Sequence, residues 1–205
     1  MTIPTRTEAQ AILEPYHETI RQIVIDGWTE WRTTHRLRAE NGMSPYMYRR
    51  TTVNIIFDAI ARRALTIFGN HPRVSVKDEA QTIKLFFQSK ILLRFKKAGD
   101  DRLGRNIPTQ AALAFADGDA ELPGFPPETA RVEVVWEANE LWTHVDRVLV
   151  VARDGDRLIW EYEIDKSEKG GTVLPLLPRG DDPSGAPDEG MVKAKPLPAQ
   201  KSEKK

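Results

Sequence analysis

The sequence predicts an α+β fold, with an N-terminal antiparallel helical hairpin packed on a mainly antiparallel, twisted sheet of about five to seven strands. Three observations carry this. Apolar residues recur at helical spacing as far as Phe68, the spacing changes to alternation from Val74, and Asp154-Gly155 joins two apolar runs near residue 150. The organisation expected is residues 1–72 as the helical hairpin, 73–166 as a sheet-rich region of the same domain with one short helix, and 167–205 as a disordered tail.

Thr7-Glu8-Ala9-Gln10 fits a capping box at the first helix start. Ile12, Leu13, Tyr16, Ile20, Ile23, Val24, Trp28 and Trp31 then follow the three-and-four spacing of one helix face. Pro15 predicts a kink or a first turn. Gly27 weakens the helix by about 1 kcal/mol relative to Ala. Asn41-Gly42 ends it. Ser44-Pro45 predicts the start of a second helix, with Ser as cap and Pro at the first helical position. Its apolar face runs from Val53 to Phe68, and Gly69-Asn70 and Pro72 stop it.

Val74 and Val76 open the alternating region, with a turn expected at Asp78–Gln81. Ile83, Leu85, Phe87, Ile91, Leu93 and Phe95 keep one parity, which is either one long strand or two joined by a tight turn near Gln88-Ser89. The opposite parity is mixed and basic. Pro108 opens a short helix containing Ala112, Leu113 and Phe115, and a Gly/Pro-rich loop covers residues 117–130. Val132, Val134 and Trp136 begin a second group of strands, followed by Val145–Ala152 and Leu158–Ile164. On the last strand Leu158, Trp160, Tyr162 and Ile164 are expected on one face, and Glu161, Glu163 and Asp165 on the other. Beyond Lys166 the composition cannot bury enough surface to offset chain entropy, although Val173–Leu177 could dock locally.

Hydrophobic residues are 40% and charged residues 29%, enough apolar side chain for a core. With no Cys, disulfides and Cys-ligated zinc are excluded. The N-terminus MTIPTRTEAQ has no signal-peptide pattern, and no apolar run approaches the roughly 20 residues of a membrane helix. A cytoplasmic protein with no membrane partner is expected. The net charge of zero divides into +7 over residues 1–110 and −7 over residues 111–205. The two halves either neutralise each other in the fold or present a basic surface to a polyanion.

The four histidines, His17, His35, His71 and His144, show no metal-ligand spacing, and no phosphate loop or nucleophile elbow occurs. No cofactor and no metal are expected, and whether the chain is an enzyme stays open. Glu161, Glu163 and Asp165 form an acidic strand row, more often a solvated edge than an Mg²⁺ site. Asp78 with Gln88-Ser89-Lys90 loosely matches the metal-binding strand pair of a restriction-type nuclease, although Gln replaces the usual second acid. The richest cluster is Lys84, Lys90, Arg94, Lys96, Lys97, Arg102 and Arg105, with Phe86 among them. Cations neutralise phosphates and an aromatic stacks on a base, so this is the candidate nucleic-acid surface. The alternative is a sheet face covered by salt bridges to the acidic strands. A helix start beside Arg102 and Arg105 adds a candidate anion site at Arg105, Asn106 and Thr109.

Leu93-Arg94-Phe95-Lys96-Lys97, Arg105-Asn106-Ile107-Pro108-Thr109-Gln110 and Leu122-Pro123-Gly124-Phe125-Pro126 together resemble a family of small bacterial proteins. Their genes are associated with a helix-turn-helix regulator fused to, or beside, a zinc metallopeptidase-like domain. The likeness covers roughly residues 45–165. It implies an effector (toxin-like) component of a two-gene toxin–antitoxin or phage-defence module, neutralised by a cognate regulator or antitoxin protein. It carries over no catalytic residue. A nucleic-acid-binding module and an Mg²⁺-dependent nuclease are the other functional classes.

Overall fold

The computed structural model describes residues 3–79, 82–105, 109–117 and 120–165. The expected tail, Asn106 and Pro108 lie outside the described residues. The elements are α1 (Arg6–Leu13), α2 (His17–Glu40), α3 (Arg49–Phe68), β1 (Val74–Glu79), β2 (Thr82–Phe87), β3 (Ile91–Lys97), α4 (Gln110–Ala116), β4 (Ala130–Ala138), β5 (Val145–Asp154) and β6 (Arg157–Glu163). The fold is α+β.

The first helix starts two residues before the predicted capping box. Thr5 is the N-cap: its hydroxyl accepts from the Glu8 amide, and the Glu8 carboxylate accepts from the Thr5 amide. That carboxylate titrates below its usual range because of the Thr5 hydrogen bonds. Pro15 sits in a short 3-10 turn, Glu14–Tyr16, that separates α1 from α2. Gly42, with φ +69°, closes α2 as expected. Ser44-Pro45 does not start α3. The chain stays non-helical until Arg49, because Arg38 donates to the Ser44 carbonyl and stacks over Tyr46, holding 44–48 as a loop.

Tyr16, at the start of α2, meets the ring of Phe68 at the end of α3, so the two helices run antiparallel. They approach closely at Gly27. A Cβ there would stand 2.7 Å from Ile60 Cγ1 and 3.2 Å from the Ile56 carbonyl oxygen. The lost helix propensity is thus exchanged for close helix packing.

The six strands are ordered β1-β2-β3-β4-β5-β6. All neighbours are antiparallel except β3 and β4, which are parallel. A parallel pair needs a crossover, and the segment carrying α4 supplies it. β2 and β3 are separate strands joined at Gln88-Ser89, whose φ values of 49° and 56° give both central residues the left-handed conformation of a type I′ hairpin. The last hairpin turns at Gly155 (φ +57°), between Asp154 and its partner Arg157.

One sheet face packs on α1, α2 and α3 through Leu85, Phe87, Leu93, Phe95, Val134, Trp136, Val150 and Tyr162. Across the other face, Val135, Leu149 and Val151 form a smaller cluster with Ala98 and Leu158. Leu158 therefore does not share the face of Trp160 and Tyr162. Ala152 pairs with Trp160 but Arg153 pairs with Leu158, so Ile159 is bulged and the parity changes there. Among the described residues, no helix is long and apolar enough to cross a membrane.

Candidate functional site

Alternation places Lys84, Arg94 and Lys96 on the sheet face away from the long helices, while Lys97 has the opposite parity. This face meets its own acids. Arg94 is 4% exposed and Glu133, directly across from it on β4, is 0% exposed. Arg94 Nε donates to Glu133 Oε1 at 2.8 Å, and Nη2 donates to the same oxygen at 2.5 Å. Glu133 Oε2 accepts from the Gly104 amide at 3.0 Å and lies 3.7 Å from Arg153 Nη1. Phe115 of α4 covers the Arg94 guanidinium at 3.9 Å. Thr109 caps α4 by accepting from the Ala112 amide, and Arg131 of β4 clips its far end by donating to the Ala114 and Asp117 carbonyls.

The rest of the predicted basic cluster is divided. Lys84 is buried and pairs with Glu79 at 2.8 Å. Arg102 pairs with Glu161 of β6. Lys90 is exposed in the β2–β3 turn. Burial lowers the Lys96 ammonium pKa, with Arg94 adding to the effect, and burial also lowers that of Lys97. Arg105 is exposed, 3.9 Å from both Asp100 and Asp101. It lines a cleft of about 580 Å³ together with Gln110, Leu113, Asp117 and Arg153. Of the expected anion site, Arg105 lines this cleft, Thr109 is the N-cap of α4, and Asn106 lies outside the described residues.

The acidic strand row is paired off as well: Glu161 with Arg102, and Glu163 with Arg147 at 2.9 Å. Asp78 and Gln88–Lys90 are at opposite ends of β1 and β2. Asp78 pairs with Ile83, whereas the Gln88 amide bonds to the Arg73 carbonyl, five residues away along β1 or roughly 16 Å. Among the described residues, no three His, Asp or Glu converge to hold a metal.

A different cleft, of about 800 Å³, lies between α2 and the β4–β5 loop. Helical spacing puts its lining residues Arg21, Arg32 and Arg36 within about 60° of one another around α2. Two acids of α2, Asp26 and Glu30, lie on another side, whereas Glu40 stands one turn from Arg36 and Glu18 about 60° from Arg21. Asp26 pairs with Arg63 and Glu30 with Arg62, both on α3. Arg32 donates only to the Trp142 carbonyl, at 3.4 Å, and Arg36 has an exposed partner, Glu40, at 3.7 Å. His35 of α2 and Thr143 and His144 of the loop line the same cleft.

The loop is built on Asn139. Its side-chain oxygen accepts from the Thr143 amide at 2.7 Å and from the His144 amide at 3.2 Å, and its amide donates to Thr143 Oγ1 at 2.8 Å. Trp142 has φ +54°, an uncommon conformation for a bulky residue. It is held by the rings of Trp28 and Trp31 and by the Arg49 guanidinium at 4.2 Å. The arginines of this cleft are not among the residues the sequence points to, and His35 and His144 appear there only among the histidines without metal-ligand spacing. The signal present was the arginines' common face at positions 21, 32 and 36.

No protein-family model, curated protein or solved structure matches the chain. The functional reading therefore rests on the geometry above.

Proposed function

We propose that the chain is a nucleic-acid-binding module whose contact surface is the α2 cleft rather than the sheet face. The observation that carries this is a row of three arginines on the cleft side of one helix. Asp26 and Glu30 are taken up by Arg63 and Arg62 on another side, while Arg21, Arg32 and Arg36, the last beside the exposed Glu40, line the cleft along about 22 Å. A row of guanidinium groups at that reach suits a run of phosphates. The sheet face supports this role less well, since Lys84 and Arg94 are buried against carboxylates. The test is retention on single-stranded RNA and DNA as a function of salt, for the wild type and for Arg32→Glu/Arg36→Glu. Loss of salt-sensitive retention in the double variant is expected. Unchanged retention would remove the reading.

A second reading is favoured by the tip of the helical hairpin. Leu37, Met43, Met47 and Tyr48 are exposed there, Met47 at 85%, and arginines 38 and 50 stack on Tyr46 and Tyr48. Met, Tyr and Arg are enriched at protein interfaces. This supports the partner-controlled effector that the family resemblance implies, held in check by a cognate regulator. Growth on induction alone and beside the neighbouring gene is the test: arrest relieved by the neighbour supports it, and unaffected growth in both cases counts against it.

A further inference from the structure

We propose that the α2 cleft is a metal-independent ribonuclease site in which His144 is the general base and His35 the general acid. This rests on the nucleic-acid reading of the same cleft and adds a reaction to it.

The loop orders its hydrogen bonds in one direction. Asn139 Nδ2 donates to Thr143 Oγ1 at 2.8 Å, so that hydroxyl is free to donate onward to His144 Nδ1, 3.0 Å away. His144 Nε2 lies 2.8 Å from Asp146 Oδ1. A carboxylate accepts, so the Nε2 position carries the proton and Nδ1 is the basic nitrogen. The result is a hydroxyl, an imidazole and a carboxylate in line, the arrangement of a base with an orienting acid.

Two backbone departures bracket this imidazole. Trp142 is in the left-handed region, and Glu137 pairs with Arg147 while Ala138 pairs with Val145, leaving Asp146 as a β-bulge. A bulge re-aims a side chain, and here it accompanies the Asp146 contact to His144. Strained backbone held by surrounding structure is a mark of functional loops. Other charges facing His144 across the cleft are Arg21, Arg32 and Arg36, and His35 is the second imidazole.

In the reaction, a ribose 2′-hydroxyl takes the place that the Thr143 hydroxyl now occupies at Nδ1. His144 removes its proton as the 2′-oxygen attacks the adjacent phosphorus. The bond from phosphorus to the 5′-oxygen breaks, and protonated His35 supplies a proton to that oxygen. The products are a 2′,3′-cyclic phosphate and a 5′-hydroxyl end, with one proton taken up and one released. Arginine side chains of α2 stabilise the charge gathering on the phosphoryl oxygens. Asp146 is a positioning residue that holds the tautomer. DNA lacks the 2′-hydroxyl, so it binds without being cut.

The experiment incubates the full chain with end-labelled single-stranded RNA, and separately with DNA of the same sequence, in excess EDTA. Retention is measured in parallel. The expected result is RNA cleavage with cyclic-phosphate ends and intact DNA. His144→Gln is expected to lose about 100-fold or more in rate. Free imidazole is expected to restore cleavage to His144→Gly, and Asp146→Asn to lower kcat with KM unchanged. If RNA is retained but stays intact, or if His144→Gln purified in the same way cuts as fast as the wild type, the ribonuclease inference is overturned and the binding reading stands. If RNA is not retained even at low salt, both fall.

Discussion

Glu133, fully buried at the centre of β4, accepts two hydrogen bonds from Arg94 on one oxygen and faces the Gly104 amide and Arg153 with the other. The Arg94 guanidinium thus relies on one carboxylate in a place that water does not reach, whereas Arg153 also holds Asp156 at 3.0 Å and the Gly155 carbonyl at 2.7 Å. Replacing a buried pair with apolar residues of similar size is often tolerated, whereas removing one partner leaves the other charge stranded. Glu133→Gln is therefore expected to destabilise the fold by about 3–5 kcal/mol. The paired change Arg94→Met/Glu133→Leu should cost much less. Urea unfolding of the three proteins measures both, and equal losses would show that the pairing is not the source.

Gly27→Ala should destabilise despite the better helix propensity of Ala. The added methyl meets Ile60 Cγ1 at 2.7 Å and backbone of α3 at 3.2 Å. The expected loss is about 1–3 kcal/mol, the usual range for overpacking. A thermal melt showing a gain instead would mean that α2 and α3 can separate freely.

The β2–β3 hairpin places Gln88 and Ser89 in the left-handed region, which costs ordinary residues roughly 1–2 kcal/mol each. Gln88→Asn/Ser89→Gly supplies the residues a type I′ turn favours. A rise in stability of about 1 kcal/mol in chemical denaturation is expected.

His17 Nε2 and the Tyr162 hydroxyl are 3.0 Å apart where α2 begins and β6 ends. Burial lowers the His17 pKa below its ordinary 6.5, and burial raises that of Tyr162. A depressed folded-state pKa means that the unfolded chain takes up the proton first. The stability contributed by neutral His17 is present above about pH 6.5 and is lost as pH falls from there through the lower folded pKa. His17→Gln should flatten this part of the stability profile below about pH 6.5. Parallel profiles for variant and wild type would assign the dependence to other groups.

Binding by the three cleft arginines predicts its own salt slope. If they neutralise three phosphates of a single strand, log K against log salt should fall with a slope of about −2, and Arg32→Gln should make it shallower by about 0.7. A slope insensitive to the substitution would place the contact elsewhere.

Much of the fold is legible in local pattern. The alternation through Ile83–Phe95 marks β2 and β3, and Gly42 closes α2 where its backbone freedom allows; the cap of α4 is Thr109, one residue after the Pro108 that the pattern points to. Gln88-Ser89 left the hairpin open because neither residue is Gly or Asn, and the tertiary sheet imposes the turn. Ser44-Pro45 is a sound helix start overridden by Arg38, which binds the Ser44 carbonyl. The bulge at Ile159 moves Leu158 to the other face, and nothing in the alternation announces it. The sites were less visible. Which cations remain available depends on distant partners, such as Glu133 for Arg94 and Arg62 and Arg63 for the acids of α2. Pairings between elements are set by topology rather than by spacing along the chain.

The Trp160 indole donates to the Pro4 carbonyl at 2.7 Å, and the Arg6 guanidinium lies over the ring of Tyr162 at 5.9 Å. The N-terminal end of α1 is therefore laid against β6, with 156 positions between Pro4 and Trp160. During synthesis on a ribosome α1 emerges before β6 and lacks its contacts with that strand until β6 has followed it out of the exit tunnel. Contacts of such long sequence separation carry a large closure entropy and slow the approach to the native state. The side of α1 that β6 covers accordingly stays open in the nascent chain until that strand is made, an interval in which a chaperone has something to contribute.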